Sequence, residues 1–259
     1  MWLPVAACEK PLYGCGLFST RSLRLPRFMG IGAHKAGTSW LHVNLQAHPQ
    51  LFLPRQKELH YFDSYFHSRT LRFYSRQFES ADTKIRGEIT PAYSILSPKR
   101  IRFIRKIMPD VRLIFIMRNP IDRSWSAALM DLLTLQKRTF DQVPEDEFYA
   151  HFKSQGARAR NGYQAILDNW LSIFSKEQLH VTFFEEIIHR PRQLLEEVFE
   201  HIGVSCDVDW STFPYTNKFH QGDPTPLPDH YRQVLEEQYR NEIAGLQSRF
   251  GAALDGWTS

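Results

Sequence analysis

Apolar positions along the chain alternate between short continuous runs and stripes at helical spacing. Phe28-Met-Gly-Ile-Gly32 is such a run and reads as a buried strand. Ala33-His-Lys-Ala-Gly37 follows as a loop by composition. Thr38 is placed to cap a helix from Ser39 to about Ala47, with Trp40, Leu41 and Leu45 at helical spacing. Ser97 and Pro98 open a second helix whose stripe is Ile101, Ile104 and Ile107. Val111 to Met117 is apolar except for Arg112, the pattern of a parallel strand covered on both faces. A helix is expected from about Ile121 to Gln136, and another from Gly162 to Phe174. Leu179 to Phe184 reads as a strand. Pro191 to Ile202 is a helix closed by Gly203, and Pro228 to Phe250 is a last helix closed by Gly251. This alternation predicts an α/β fold, a central parallel β-sheet flanked by helices on both faces. One domain is expected over 27–251, with a loosely ordered lead-in at 1–26 and a tail at 252–259.

The 259 residues carry 32 Lys and Arg against 28 Asp and Glu, a net charge of +4. That surplus suits an anionic ligand and is too small for a nucleic-acid stripe, so no nucleic-acid partner is expected. No run approaches the ~18 apolar residues of a membrane span. Cys8, Cys15 and Cys206 show no metal-ligand spacing and are odd in number, which favours reduced thiols and a cytoplasmic location. No metal is expected.

The segment with most chemistry in it is Gly30-Ile-Gly-Ala-His-Lys-Ala-Gly-Thr-Ser-Trp40. A strand, a small-residue loop and a helix start make a phosphate cradle, because free backbone N–H groups and the helix dipole both favour an anion. The dinucleotide pattern GxGxxG finds Lys35 at its third glycine. The Walker pattern GxxxxGK[ST] finds Thr38 at its lysine. After the strongest strand, Arg118 and Ser126 supply a guanidinium and a hydroxyl suited to a second phosphate.

The Lys-x-Gly-Thr-Ser-Trp segment resembles the 5′-phosphosulfate loop of sulfotransferases that use 3′-phosphoadenosine 5′-phosphosulfate (PAPS). Arg118 and Ser126 resemble that family's 3′-phosphate site. Lys57-Glu58-Leu-His-Tyr-Phe62 is similar to the Lys-Glu-x-x-x-Phe segment of the heparan-type branch and of many bacterial members, and Gly87-Glu88-Ile-Thr-Pro-Ala-Tyr93 to a further family segment. The resemblance extends through Gly162-Tyr163 and Glu185-Glu186 to a late loop at Asn217-Lys218 and Gly222. It implies PAPS as the sulfuryl donor, held by Lys35, Ala36, Gly37, Thr38, Ser39 and Trp40 at the 5′ end. Arg118 and Ser126 would hold the 3′ end, with Tyr163 and Lys218 close by.

The same resemblance implies that Lys35 meets the charge on the leaving phosphate and that Glu58 is the general base. His60 stays open as the alternative base, and burial is expected to make the Glu58 carboxylate a better one. His34 is a weaker candidate, and Glu88 stays open between taking a proton and pairing with a nearby lysine or arginine to position the cleft. The acceptor, a small molecule, lipid or sugar hydroxyl or amine, is not readable; Lys57–Asp63 and residues 127–162 are expected to line its pocket. The competing readings are a non-catalytic nucleotide-binding scaffold of the same fold and a divergent P-loop kinase.

Overall fold

The computed structural model describes residues 19–217 and 222–257 together with Lys10, Leu12, Tyr13 and Phe219. Most of the expected lead-in, with Cys8 and Cys15, and the late-loop Lys218 lie outside the described residues. In chain order the elements are β1 (Phe28–Gly32), α1 (Thr38–Ala47), β2 (Leu51–Phe52), α2 (Leu71–Arg76), β3 (Ile85–Ile89), α3 (Pro98–Ile107), β4 (Arg112–Met117) and α4 (Pro120–Ala128). They continue with α5 (Glu145–Lys153), α6 (Gln155–Asn161), α7 (Tyr163–Leu171), β5 (Leu179–Phe183), α8 (Phe184–His189), α9 (Pro191–Ile202) and α10 (Asp229–Phe250).

All five strands run parallel in the order β2-β3-β1-β4-β5. Every residue of β1 is buried, as is all of β4 beyond Arg112, which is why both read as near-continuous apolar runs. β3 was not legible as a strand. Its sequence, Ile-Arg-Gly-Glu-Ile, is mostly polar or glycine, yet Gly87, Glu88 and Ile89 are buried. The Phe28 ring lies against Gly87 so closely that a Cβ there would overlap it. The glycine therefore serves close strand packing.

The chain leaves β1 toward β2 on one side of the sheet and later crosses from β3 to β4 on the other. That makes the carboxyl ends of β1 and β4 a topological switch point, the place where open parallel sheets bind ligands. The β1–β4 register shifts between Gly30 and Gly32, and Ala33 N still donates to Ile116 O at 2.7 Å. The loop after β1 is thus held beside the end of β4.

The helix expected from Ile121 to Gln136 ends as regular α-helix at Ala128 and continues as a π-helical turn, Leu129–Thr134. Residues 251–257 form a 3-10 turn that buries Leu254 and Trp257 and closes the back of the same core. Asn119 donates to Trp257 O at 3.4 Å, and Trp257 Nε1 to Glu185 at 3.0 Å. Among the described residues no helix is long and apolar enough to cross a membrane.

Candidate functional site

The loop 33–37 is shaped by backbone conformation. Lys35 has φ 66° and Gly37 φ 82°, both left-handed. α1 begins at Thr38, so the capping position belongs to Gly37 and not, as expected, to Thr38. The consequence is chemical. No side chain caps α1 and its first turn holds no acid, so the first amides remain available to an outside anion. From the other side, α8 presses Phe184 and Ile187 onto Gly37, and a Cβ there would overlap Ile187 Cδ1. Gly37→Ala should lower the unfolding free energy by about 1–3 kcal/mol through left-handed strain and this overlap. A urea midpoint equal to that of the native chain would show that the loop relaxes instead.

Lys35 and Arg118 are brought together at the switch point. Arg118 Nη1 donates to Lys35 O at 3.1 Å, and its guanidinium sits 4.6 Å from the Phe184 ring centre. Tyr163, fully buried, donates its hydroxyl to Arg118 O at 3.1 Å. Its place is behind the arginine, not on the surface of the cleft. Burial lowers the pKa of Arg118, and burial together with the Arg118 charge lowers that of Lys35. Among the described residues neither forms an ion pair with a carboxylate. The ammonium of Lys35 has only the Met130 thioether, 3.8 Å away on the π-helical turn.

Two half-buried cations with no ion-pair partner among the described residues, next to an uncapped helix start, fit a ligand with two phosphate groups. Trp40 is buried on α1 and donates to Tyr215 O at 2.8 Å, tying the loop's helix to the late segment. Ala36 and Thr38 are buried, and Ser39 is half-buried in the first turn of α1. Ser126 lies half-buried on α4 with its Oγ 4.0 Å from where a Cβ on Gly222 would stand.

The strip after β2 carries the candidate bases. Lys57 Nζ is 2.6 Å from Glu58 Oε1, His60 Nε2 is 3.4 Å from Glu58 Oε2, and His60 Nδ1 is 2.8 Å from Asp63 Oδ2. Glu58 and His60 both adopt left-handed backbone, φ 64° and 51°. With Lys35, three of the five described non-glycine residues with positive φ carry candidate chemistry. Such conformations cost energy and persist where the surroundings impose them.

Glu58 is about 30% exposed and ion-paired, so the burial expected for it does not occur. Burial falls instead on Glu88, whose carboxyl it pushes up to about 7 against three hydroxyl donors that pull it down. Burial, aided by Arg123 and Arg160, drives His34 down to about 4, which leaves a neutral and weakly basic imidazole beside Lys35. His42 on α1, buried near Lys57 and Glu58, is likewise lowered to about 4.

Met130, Phe184 and Ile187 join this site without any signal in the sequence. Met130 depends on the π-helical turn, and the other two depend on where α8 packs. Glu88 was legible only through its Gly-Glu-x-Thr-Pro-x-Tyr context.

A family model described as "Sulfotransferase family" matches residues 56–208, more than half of the chain. The match covers Glu58, His60, Arg118, Ser126 and Tyr163 and begins after the Lys35 loop. The chain is 24% identical to the membrane-associated sulfotransferase kil1 of Dictyostelium discoideum, over 84% of this chain and 65% of that protein. It is 27% identical to heparan sulfate glucosamine 3-O-sulfotransferase 5 of Mus musculus, over 70% of this chain and 54% of that protein. The chain therefore spans less than two thirds of the length of these relatives. The crystal structure of a sulfotransferase from Alicyclobacillus acidocaldarius shares the fold with a TM-score of 0.70 at 24% identity, covering 91% of this chain and 99% of that one.

Proposed function

Since the chain belongs to the sulfotransferase family, we propose that it transfers a sulfuryl group from PAPS to a hydroxyl or amine of an acceptor. The observation that carries this reading is the pairing of Lys35 and Arg118 at the switch point. Arg118 Nη1 donates to the Lys35 backbone oxygen at 3.1 Å, and among the described residues neither cation forms an ion pair with a carboxylate. A nucleoside bearing both a 5′- and a 3′-phosphate uses both, whereas ATP leaves the second idle.

Bound there, PAPS supplies an activated sulfuryl group whose departure leaves negative charge on the 5′-phosphate. Lys35 and the first amides of α1 are placed to hold that charge, with the Thr38 and Ser39 hydroxyls completing the cradle. Arg118 and Ser126 hold the 3′-phosphate, and Tyr163 keeps the Arg118 backbone in place. Phe184 covers one face of the guanidinium and limits its hydration. Transfer of this kind proceeds in line and is accelerated mainly by positioning and electrostatics.

Glu58 accepts the acceptor's proton. The His60–Asp63 pair gives that proton a route toward solvent, since His60 touches both carboxylates. Lys57 anchors the Glu58 carboxylate from the other side.

Calorimetric titration with adenosine 3′,5′-bisphosphate tests this reading, with AMP and ATP as controls. Micromolar binding of the bisphosphate and much weaker binding of AMP are expected. A preference for ATP with Mg²⁺, or no binding at all, would overturn the reading. Glu58→Gln should reduce PAPS turnover by about 100-fold, within the usual range for general-base removal, with bisphosphate affinity unchanged. If His60→Gln has that effect and Glu58→Gln does not, the base is His60.

A further inference from the structure

Glu88 is the only acidic side chain in the buried core among the described residues. It stands on β3, second from one edge of the sheet, directly under the strip that carries Glu58 and His60. Three hydroxyls surround its carboxyl group. Tyr74 donates to Oε1, Thr90 Oγ1 donates to Oε2 at 2.8 Å, and Tyr93 Oη lies 3.3 and 3.4 Å from the two oxygens.

A phenol has one hydrogen to give and lone pairs to receive. The hydrogen of Tyr93 is spent on Glu88, and its oxygen receives the amide N–H of Tyr61 at 2.9 Å and of Phe62 at 3.3 Å. Those amides close the turn that begins at Glu58. At its other end, Glu58 N donates to Ile89 O at 3.2 Å. The turn is therefore pinned at both ends to β3 and the segment just after it. Aromatic packing fixes the same anchor: Tyr61 stacks on Tyr74 with ring centres 4.6 Å apart, and Phe62 meets Tyr93 edge-on at 5.5 Å.

We propose that Glu88 and Tyr93 are positioning residues, which hold the Glu58–Phe62 turn in its left-handed backbone and so set where the Glu58 carboxylate stands relative to Lys35. The hydrogen-bond directions explain why this buried position suits a carboxylate. In its ionised form the carboxyl is acceptor-only and turns every surrounding hydroxyl inward, which leaves the Tyr93 oxygen free for the two amides. A glutamine N–H turned toward Tyr93 would meet an oxygen that already receives two amides, and at least one amide of the turn would lose its partner. The role of Glu58 that this inference refines rests on the sulfuryl-transfer reading; the clamp itself rests on geometry alone.

Two variants and a control test it. Tyr93→Phe removes a single oxygen, and Glu88→Gln keeps the volume and removes the charge. Each is expected to lower PAPS turnover per folded molecule by ~10–100-fold, the scale of a small misplacement of a reacting group. The Kd for adenosine 3′,5′-bisphosphate should stay within about threefold of the native chain, since neither side chain is among those assigned to the phosphates. Hydrogen exchange should accelerate selectively at the amides of Tyr61 and Phe62. Val198→Ala, in the core of α9, should lower stability without any of these effects.

Native turnover per folded molecule in both variants would overturn the inference, and so would exchange at Tyr61 and Phe62 no faster than in the native chain. If the native chain neither binds the bisphosphate nor turns over PAPS, the functional reading fails. The exchange result then still decides whether Tyr93 holds the turn.

Discussion

Lys35→Ala should lower PAPS turnover by at least ~100-fold, the loss that follows removal of one preorganised donor to a developing anion. The expectation comes from what surrounds the ammonium. It is half-buried, its pKa is lowered by burial and by Arg118, and its one polar contact is the Met130 sulfur at 3.8 Å. A thioether is a weak acceptor, so little is lost when the ammonium turns to an oxygen anion. The left-handed φ of 66° at Lys35 aims the side chain from the loop and not from α1.

Charge on the leaving phosphate is greatest in the transition state, so the loss should fall on turnover more than on affinity for the bisphosphate product. Turnover and calorimetric Kd, measured on the same preparation, check this. Near-native turnover would remove Lys35 from the mechanism. A loss matched by an equal loss of product affinity would make it a simple binding residue.

Arg118→Ala should weaken adenosine 3′,5′-bisphosphate binding by about 10–150-fold and AMP binding far less, because only the first ligand has a 3′-phosphate. A charge-assisted hydrogen bond in a partly desolvated site contributes about 1.5–3 kcal/mol, which sets that range. Arg118→Lys should recover little, since a compact ammonium cannot make a forked contact while also reaching the Lys35 carbonyl. Titration of both ligands into both variants decides the matter. Equal losses for AMP and the bisphosphate would mean that Arg118 acts only by holding the loop through Lys35 O.

How much of this was legible in the sequence depended on whether a position's role is local. β1 and β4 announce themselves as apolar runs because they are covered on both faces, and the edge strand β5 by its β-branched and aromatic residues. β3 lies between β2 and β1 and was missed, because Arg86, Gly87 and Glu88 look like a loop. Its glycine answers to a ring on the neighbouring strand, and its glutamate to hydroxyls on Thr90 and Tyr93 just after the strand and on Tyr74 before it. Likewise a helix over 121–136 fits the local spacing, and the π-helical turn at Leu129 that directs Met130 to Lys35 has no counterpart in that spacing. Arg118 and Lys35 were each identifiable, yet their hydrogen bond joins residues 83 apart.

The amino-acid sequence by itself determined the alternation of strands and helices and the residue types of the phosphate cradle. These follow from backbone preference and from one- or two-turn periodicity, which act over a few residues. Only the tertiary structure decided which carboxylate is buried. Glu58, expected in the interior, stands ion-paired and partly exposed, and Glu88 lies in the core with a carboxyl pushed to about 7. Desolvation depends on everything that packs around a group, and those neighbours come from separate stretches of the chain.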